Sequence, residues 1–170
     1  GALIADDMGL GKTLQVIATL LQLKNDGELT KAKALVVVPT TLMTNWQREI
    51  AKFAPSLSVG IYHGTTRVLP EAVKDLPDVT LTTYGLMRRE TEKLAGYKWR
   101  LLVLDEAQAV KNATSGQSVA AKSLNASQTI AMTGTPVENR LSEYWSILET
   151  VQPRLLGSLK DFTETFAAPI

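Results

Sequence analysis

Residues 2–14 read ALIADDMGLGKTL, and this stretch decides the fold class. Ala2 to Ala5 is a short apolar run of strand length. Asp6 to Gly11 forms a turn containing Gly9 and Gly11, and from Lys12 onward Leu14, Ile17 and Leu21 recur at helical spacing. A strand, a glycine turn and a helix in that order bring backbone N–H groups and a helix amino terminus together, an arrangement that favours anions. Asp7, Met8, Gly9, Leu10 and Gly11 would then wrap phosphate. Lys12 would reach the β and γ phosphates and the Thr13 hydroxyl would be a magnesium ligand. The general pattern G-x-x-x-x-G-K-S/T asks for glycine where this chain has Asp6, but the strand before and the helix after are the context that confirms such a loop. A dinucleotide loop, G-x-G-x-x-G, would need glycine at Leu14, so hydride transfer has no support.

Working outward, the same alternation continues. Ala34 to Val38, Ser58 to Tyr62, Val79 to Thr83, Leu101 to Asp105 and Thr129 to Thr133 are candidate strands. Leu42, Trp46, Ile50 and Phe53, and again Leu141, Trp145 and Leu148, set apolar stripes on helices. Strands apolar on both faces and joined by helices predict an α/β domain over residues 1–170, with a mostly parallel central sheet covered on both sides. Loops are expected at Lys24 to Lys33, Gly64 to Pro77, Asn112 to Ser118 and Pro153 to Ser158. Ligands of such sheets bind beyond the carboxyl ends of the strands.

One strand end stands out on that criterion. Leu101-Leu102-Val103-Leu104 runs into Asp105-Glu106-Ala107-Gln108. Four apolar residues bury the strand and two carboxylates follow it. One acid can hold magnesium and the next can orient or deprotonate an attacking water, so we assign Asp105 to the metal and Glu106 to the base. An acidic helix cap is the competing reading. Coming after the phosphate loop, in the right order and on the right elements, the pair points to hydrolysis of a nucleoside triphosphate.

Composition sets limits. The 170 residues are 45% hydrophobic and 21% charged, which excludes a disordered tail, a collagen-like repeat and a coiled coil. Eighteen basic and 17 acidic residues leave a formal charge of +1, so nucleic-acid binding must rest on local patches rather than a long-range field. The absence of cysteine excludes disulfides and thiolate zinc sites. No apolar run approaches the roughly 20 residues of a membrane helix. The lone His63 reads as a surface residue and Trp46 and Trp145 as core. Arg88 to Arg100, with a local excess of positive charge, reads as a solvated helix face.

Five ordered blocks carry a resemblance: DDMGLGKT (6–13), VVPTTLMTNWQREIAKFAP (37–55), LTTYGLMRRE (81–90), LVLDEAQAVKN (102–112) and MTGTPVENRLSEYWSIL (132–148). They resemble successive helicase motifs of the Swi/Snf-type ATPases of superfamily 2, and Asp6 fits that family's phosphate loop. The DEAQ form is more similar to archaeal or bacterial members. The resemblance implies a RecA-like first lobe of a two-lobe motor that hydrolyses ATP, with Mg2+, while translocating on double-stranded DNA. It also implies that Thr133, Gly134 and Thr135, with Gln108, couple the nucleotide site to DNA. Contacts to the phosphate backbone would come from Pro39, Thr40 and Thr41 and from Thr83 and Tyr84, by hydroxyls and N–H groups that position DNA without reading its sequence. Further implied are a DNA-bound protein as cargo, no membrane, and residence at the nucleoid of a prokaryote or in the nucleus of a eukaryote.

Two other classes stay open on the residues: another superfamily 2 motor, such as a strand-separating helicase or a restriction translocase, and a nucleotide-gated binding switch. Strand displacement would mark the helicase, and DNA-independent binding without turnover the switch. The chain reads as a piece of something longer, with an adenine-contacting element before Gly1 and a second lobe bearing an arginine finger after Ile170. Since such a finger contributes about 10³ to 10⁵ in rate, the 170-residue chain by itself is expected to bind ATP weakly and turn it over little. Robust steady-state hydrolysis by the purified chain would refute this.

Overall fold

Six strands and seven helices alternate along the chain in a computed structural model that describes residues 1–137 and 140–167. Strand β1 (Ala2–Ile4) leads through the glycine turn to helix α1 (Lys12–Asn25) and strand β2 (Lys33–Val38). A short turn of 3-10 helix, Thr40–Leu42, enters α2 (Met43–Phe53), followed by β3 (Val59–Ile61) and β4 (Val79–Thr83). Helices α3 (Tyr84–Arg89) and α4 (Thr91–Ala95) precede β5 (Trp99–Leu104). Then come α5 (Gly116–Ser123), β6 (Ala126–Met132), α6 (Leu141–Val151) and α7 (Leu159–Phe162). Among these residues no helix is long and apolar enough to cross a membrane. Glu138 and Asn139, within the last of the five sequence blocks, and Ile170 lie outside the described residues.

The strands form one sheet in the order β1-β6-β5-β2-β4-β3, and every pairing is parallel. The α/β class with a parallel sheet is as the sequence predicts. Alternation along the central strands feeds two separate cores. Ala34, Val36 and Val38 of β2, with Leu101 and Val103 of β5, pack under α1 and α2. Their neighbours Leu35, Val37, Leu102 and Leu104 pack on the other face, with Met87, Ala120, Ala121 and Ile147 from the helices there. Because both faces are covered, β2 is buried at all six positions, and after Lys33 it reads as an unbroken apolar run, Ala34 to Val38.

Boundaries shift where the chemistry at the sheet ends is polar. Strand β6 starts at Ala126, three residues before the expected start. Ala126 is half-buried and Ser127 and Gln128 are exposed, and it is backbone pairing of Ala126 with Trp99 and of Gln128 with Leu101 that makes them strand. Helix α5 begins inside the expected loop 112–118, because the Ser115 hydroxyl accepts from the Ser118 N–H at 3.2 Å and caps it. The basic segment 88–100 is two short helices and the start of β5. Arg100 there pairs with Glu28.

At the amino-terminal end of the sheet, Asp78 ties four segments together. Its carboxylate accepts from Lys24 Nζ at 2.7 Å at the end of α1, lies 3.6 Å from Lys33 Nζ at the start of β2, and accepts from the Ser58 N–H at 3.0 Å before β3. Its own N–H donates to the Ser58 hydroxyl at 2.8 Å. Burial pushes the carboxyl up, and the bonds from Lys24 and Ser58 outweigh it and hold it below the usual range. The ionised form therefore stabilises the fold above that range, and the contribution is lost as pH falls through it. Asp78→Asn should cost about 1.5–3 kcal/mol at pH 7, the range for hydrogen bonds to charged groups. Urea denaturation should show the gap to the parent closing below about pH 4, the ordinary carboxylate range.

Candidate nucleotide site

The carboxyl ends of β1, β5 and β6 open side by side, and the predicted loop residues gather there. Gly9 and Gly11 sit at φ 82° and 80°, in the left-handed region that glycine alone enters without strain. Gly11 is the residue that turns the chain into α1. Lys12 folds back over the loop and its ammonium donates to the carbonyls of Asp6 at 2.7 Å and Asp7 at 2.9 Å. Asp6 also accepts from the Gln15 amide at 3.3 Å, which gives the residue standing in the usual glycine position a partner on α1.

A cavity of about 480 Å³ lies beside this loop. Met8, Gly9, Gly11, Lys12 and Thr13 line it on one side, Leu42, Asn45, Glu49 and Phe53 of the α2 region on another, and Asp105 and Glu106 at its base. Lys12, Thr13, Asp105 and Glu106, drawn from positions up to 94 apart in sequence, thus face one space. Asp7 and Leu10 belong to the loop but not to the cavity lining.

Asp105 is held from several directions. It is 7% exposed. Oδ2 accepts from the Trp46 indole N–H at 2.7 Å and Oδ1 from the Glu106 backbone N–H at 2.8 Å. Its N–H donates to Val37 O at 2.9 Å and its carbonyl accepts from the Tyr84 hydroxyl. Burial pushes its carboxyl above the usual range, against those two donors. Glu106 follows at φ 49°, ψ 56°, a left-handed conformation rare for a residue with a side chain. That twist ends the strand and starts the 3-10 turn Ala107–Val110.

Glu106 is not isolated. Its carboxylate accepts from the Gln108 amide at 2.8 Å, and the Gln108 carbonyl accepts from the Thr133 hydroxyl at 3.2 Å. The Thr133 hydroxyl accepts in turn from the Thr135 N–H at 3.1 Å. Between them, Gly134 lies so close to the loop that a Cβ there would stand 3.1 Å from Met8 Cγ. The end of β6 therefore touches both the acidic pair and the phosphate loop.

The remaining predicted residues divide. Pro39 is half-buried and Thr40 and Thr41 are exposed, at the mouth of the sheet. Thr83 and Tyr84 are buried: the Thr83 hydroxyl accepts from the Leu86 N–H and caps α3, and the Tyr84 hydroxyl points inward to Asp105. Trp46 and Trp99 are core and Trp145 is half-buried. His63 is exposed. Sequence reasoning missed the polar end of Trp46. The signal was an indole on an otherwise apolar stripe, which brings one N–H that needs a partner when buried.

Among the described residues no three His, Cys, Asp or Glu side chains gather as a metal cage. The donor set suits magnesium all the same. One buried carboxylate, a threonine hydroxyl and space beside a phosphate loop match an ion that takes few protein oxygens and completes its shell with water and substrate phosphate.

Comparison with known proteins identifies the family and the fold. A family model described as the SNF2-related domain matches residues 1–170. The protein named "Putative ATP-dependent helicase/translocase YwqA" of Bacillus subtilis is 45% identical over 173 residues, covering 100% of this chain and 19% of its own length. The mouse "DNA excision repair protein ERCC-6-like" is 37% identical over 181 residues, 14% of its length. The Sulfolobus solfataricus SWI2/SNF2 ATPase core in complex with dsDNA superposes with a TM-score of 0.85 at 40% identity, covering 99% of this chain and 34% of that one. The chain thus spans about a fifth of the bacterial relative and a third of the archaeal structure.

The Tyr84 phenol is pushed well above the usual tyrosine range by burial, and further by the charges of Asp105 and Glu106. Its neutral form stabilises the fold up to the ordinary tyrosine pKa of about 10, and that contribution is lost as pH rises beyond it. Tyr84→Phe should leave the absorbance titration of the folded protein at 295 nm unchanged through pH 10. It should also cost about 1 kcal/mol at neutral pH, the size of one buried hydrogen bond. Loss of one titrating phenol from that curve would place the Tyr84 hydroxyl in solvent.

Proposed function

The chain belongs to the SNF2-related domain family, and from that membership we propose that residues 1–170 are the RecA-like, ATP-binding first lobe of a motor that hydrolyses ATP while tracking along double-stranded DNA. The observation that carries the reading is the convergence of Lys12, Thr13, Asp105 and Glu106 on one cavity, with Glu106 joined through Gln108 to Thr133. The names of the relatives, an ATP-dependent helicase/translocase and an ATPase core bound to duplex DNA, support the same reading.

Each residue has a task in it. The glycine loop and the start of α1 present N–H groups to the phosphates. Lys12 exchanges the Asp6 and Asp7 carbonyls for phosphate oxygens when nucleotide enters. Asp105 and Thr13 would hold Mg2+, which would neutralise charge on the nucleotide's phosphates. Glu106 orients the attacking water and accepts its proton. A carboxylate bonded to Gln108 has a defined orientation, and Gln108 is in turn bonded to Thr133, so a change at the end of β6 reaches the base directly. Pro39, Thr40 and Thr41 contact the DNA backbone. Thr83, whose hydroxyl caps α3, and Tyr84, whose hydroxyl bonds the Asp105 carbonyl, position the chain near it from beneath rather than through free hydroxyls. A second lobe supplies the arginine finger, and the motor acts on DNA-bound protein cargo at the nucleoid or in the nucleus.

Two experiments test this. Steady-state ATP hydrolysis by the full-length protein, measured without nucleic acid and with duplex DNA, single-stranded DNA or RNA, should rise strongly and selectively with duplex DNA. If no nucleic acid stimulates it, the coupling roles of Thr40, Thr133 and Thr135 fall. Glu106→Gln should retain ATP binding and lower turnover by about 10² to 10⁴, the contribution of a general base; unchanged turnover removes Glu106 from that role.

A further inference from the structure

Trp46 is 0% exposed, in the core between α2 and the sheet. Packing alone does not call for an indole there. A buried indole carries an N–H that costs free energy unless bonded, and a phenylalanine or leucine would fill apolar space without it. The partner it finds is 59 residues away, Asp105 Oδ2 at 2.7 Å, a short, charge-assisted contact. The other oxygen, Oδ1, is held independently by the Glu106 N–H. A carboxylate gripped at each oxygen by a donor on a different element cannot rotate about its Cβ–Cγ bond without breaking one of the two.

The indole itself is fixed by its helix, as Met43 and Ile50, one turn to either side, are buried in the same core. Its ring therefore cannot follow a turning carboxylate. Thr13 and Lys12 face the same cavity from α1. The orientation in which Asp105 meets them is set by a residue that does not itself line the cavity.

We propose that Trp46 is a positioning residue for the metal: its indole N–H fixes the plane of the Asp105 carboxylate so that the remaining lone pairs are set for Mg2+ bound with nucleotide. This rests on the reading of Asp105 as the acid that holds the metal. Residues that orient a ligand in this way typically change metal affinity or activity by about 10- to 100-fold when replaced.

The test is nucleotide binding rather than turnover, in the full-length protein. Fluorescent mant-ADP is titrated in EDTA, and the Mg2+ concentration that half-maximally strengthens its binding is then measured. Trp46→Phe, which keeps an apolar ring and deletes the donor, should leave binding in EDTA unchanged and raise the half-saturating Mg2+ about tenfold or more. Ile50→Val thins the same core without touching Asp105 and should leave both quantities unchanged. Asp105→Asn separates the two ideas. If it raises the Mg2+ requirement while Trp46→Phe does not, the positioning role is wrong. If Asp105→Asn also has no effect, the metal reading of Asp105 fails first. An equal shift in Trp46→Phe and Ile50→Val reduces Trp46 to packing and overturns the proposal. Should Trp46→Phe not fold, benzothienylalanine at position 46, which puts sulfur where the N–H was, makes the same comparison with the ring shape kept.

Discussion

A parallel sheet has all its strand exits on one side, and the chemistry of this chain follows from that constraint. The turn after β1, the acids after β5 and the threonines after β6 arrive at one edge because those three strands are neighbours running the same way. Residues more than ninety positions apart meet without a long loop to bring them together. The connecting helices must then lie on the faces, which is why Ala34–Val38 of β2 and Leu101–Leu104 of β5 are apolar. Charged side chains are left for the two ends of the sheet. One end is closed by Asp78 with its lysines, and the other stays open as the cavity.

Within the open end, burial and strain are concentrated on two adjacent residues with different surroundings. Asp105 is enclosed, bonded at both carboxylate oxygens and at its main chain, and raised in pKa by its burial. Glu106 is half-exposed and left-handed, and its carboxylate bonds to a glutamine side chain. A strained conformation persists where its surroundings over-determine it. Here the residue before it is pinned by the Val37 carbonyl, the Tyr84 hydroxyl and the Trp46 indole, while Glu106 itself is bonded through its N–H to Asp105 and through its carboxylate to Gln108. Two neighbouring carboxylates thereby acquire different settings, one enclosed in the core and one half-exposed and oriented by Gln108.

How much of this was legible beforehand depended on the kind of interaction. Runs buried on both faces, such as Ala34 to Val38, announce themselves, since no polar residue interrupts them. The glycine turn and the acidic strand end were also legible, since each needs particular residue types at fixed spacing. Residues 126–128 were not, because their strand character comes from hydrogen bonds to a neighbouring strand rather than from their own side chains. Nor was the inward turn of Tyr84: a hydroxyl next to a strand end can face solvent or core with the same sequence around it. The left-handed twist at Glu106 leaves no composition signal at all, and the bond from Trp46 depends on α2 packing at the depth where β5 ends.

The lysine folded over its own loop gives the resting protein a particular thermodynamic character. With its ammonium already bridging the Asp6 and Asp7 carbonyls, the lysine pins the loop to the start of its own helix. On the function proposed above, arrival of a phosphate would be an exchange of one oxygen ligand for another at Lys12, around a loop that is already shaped. Most of the ordering cost falls within folding itself. The heat of binding reports the difference between carbonyl and phosphate as partners for one ammonium group, together with whatever water is displaced.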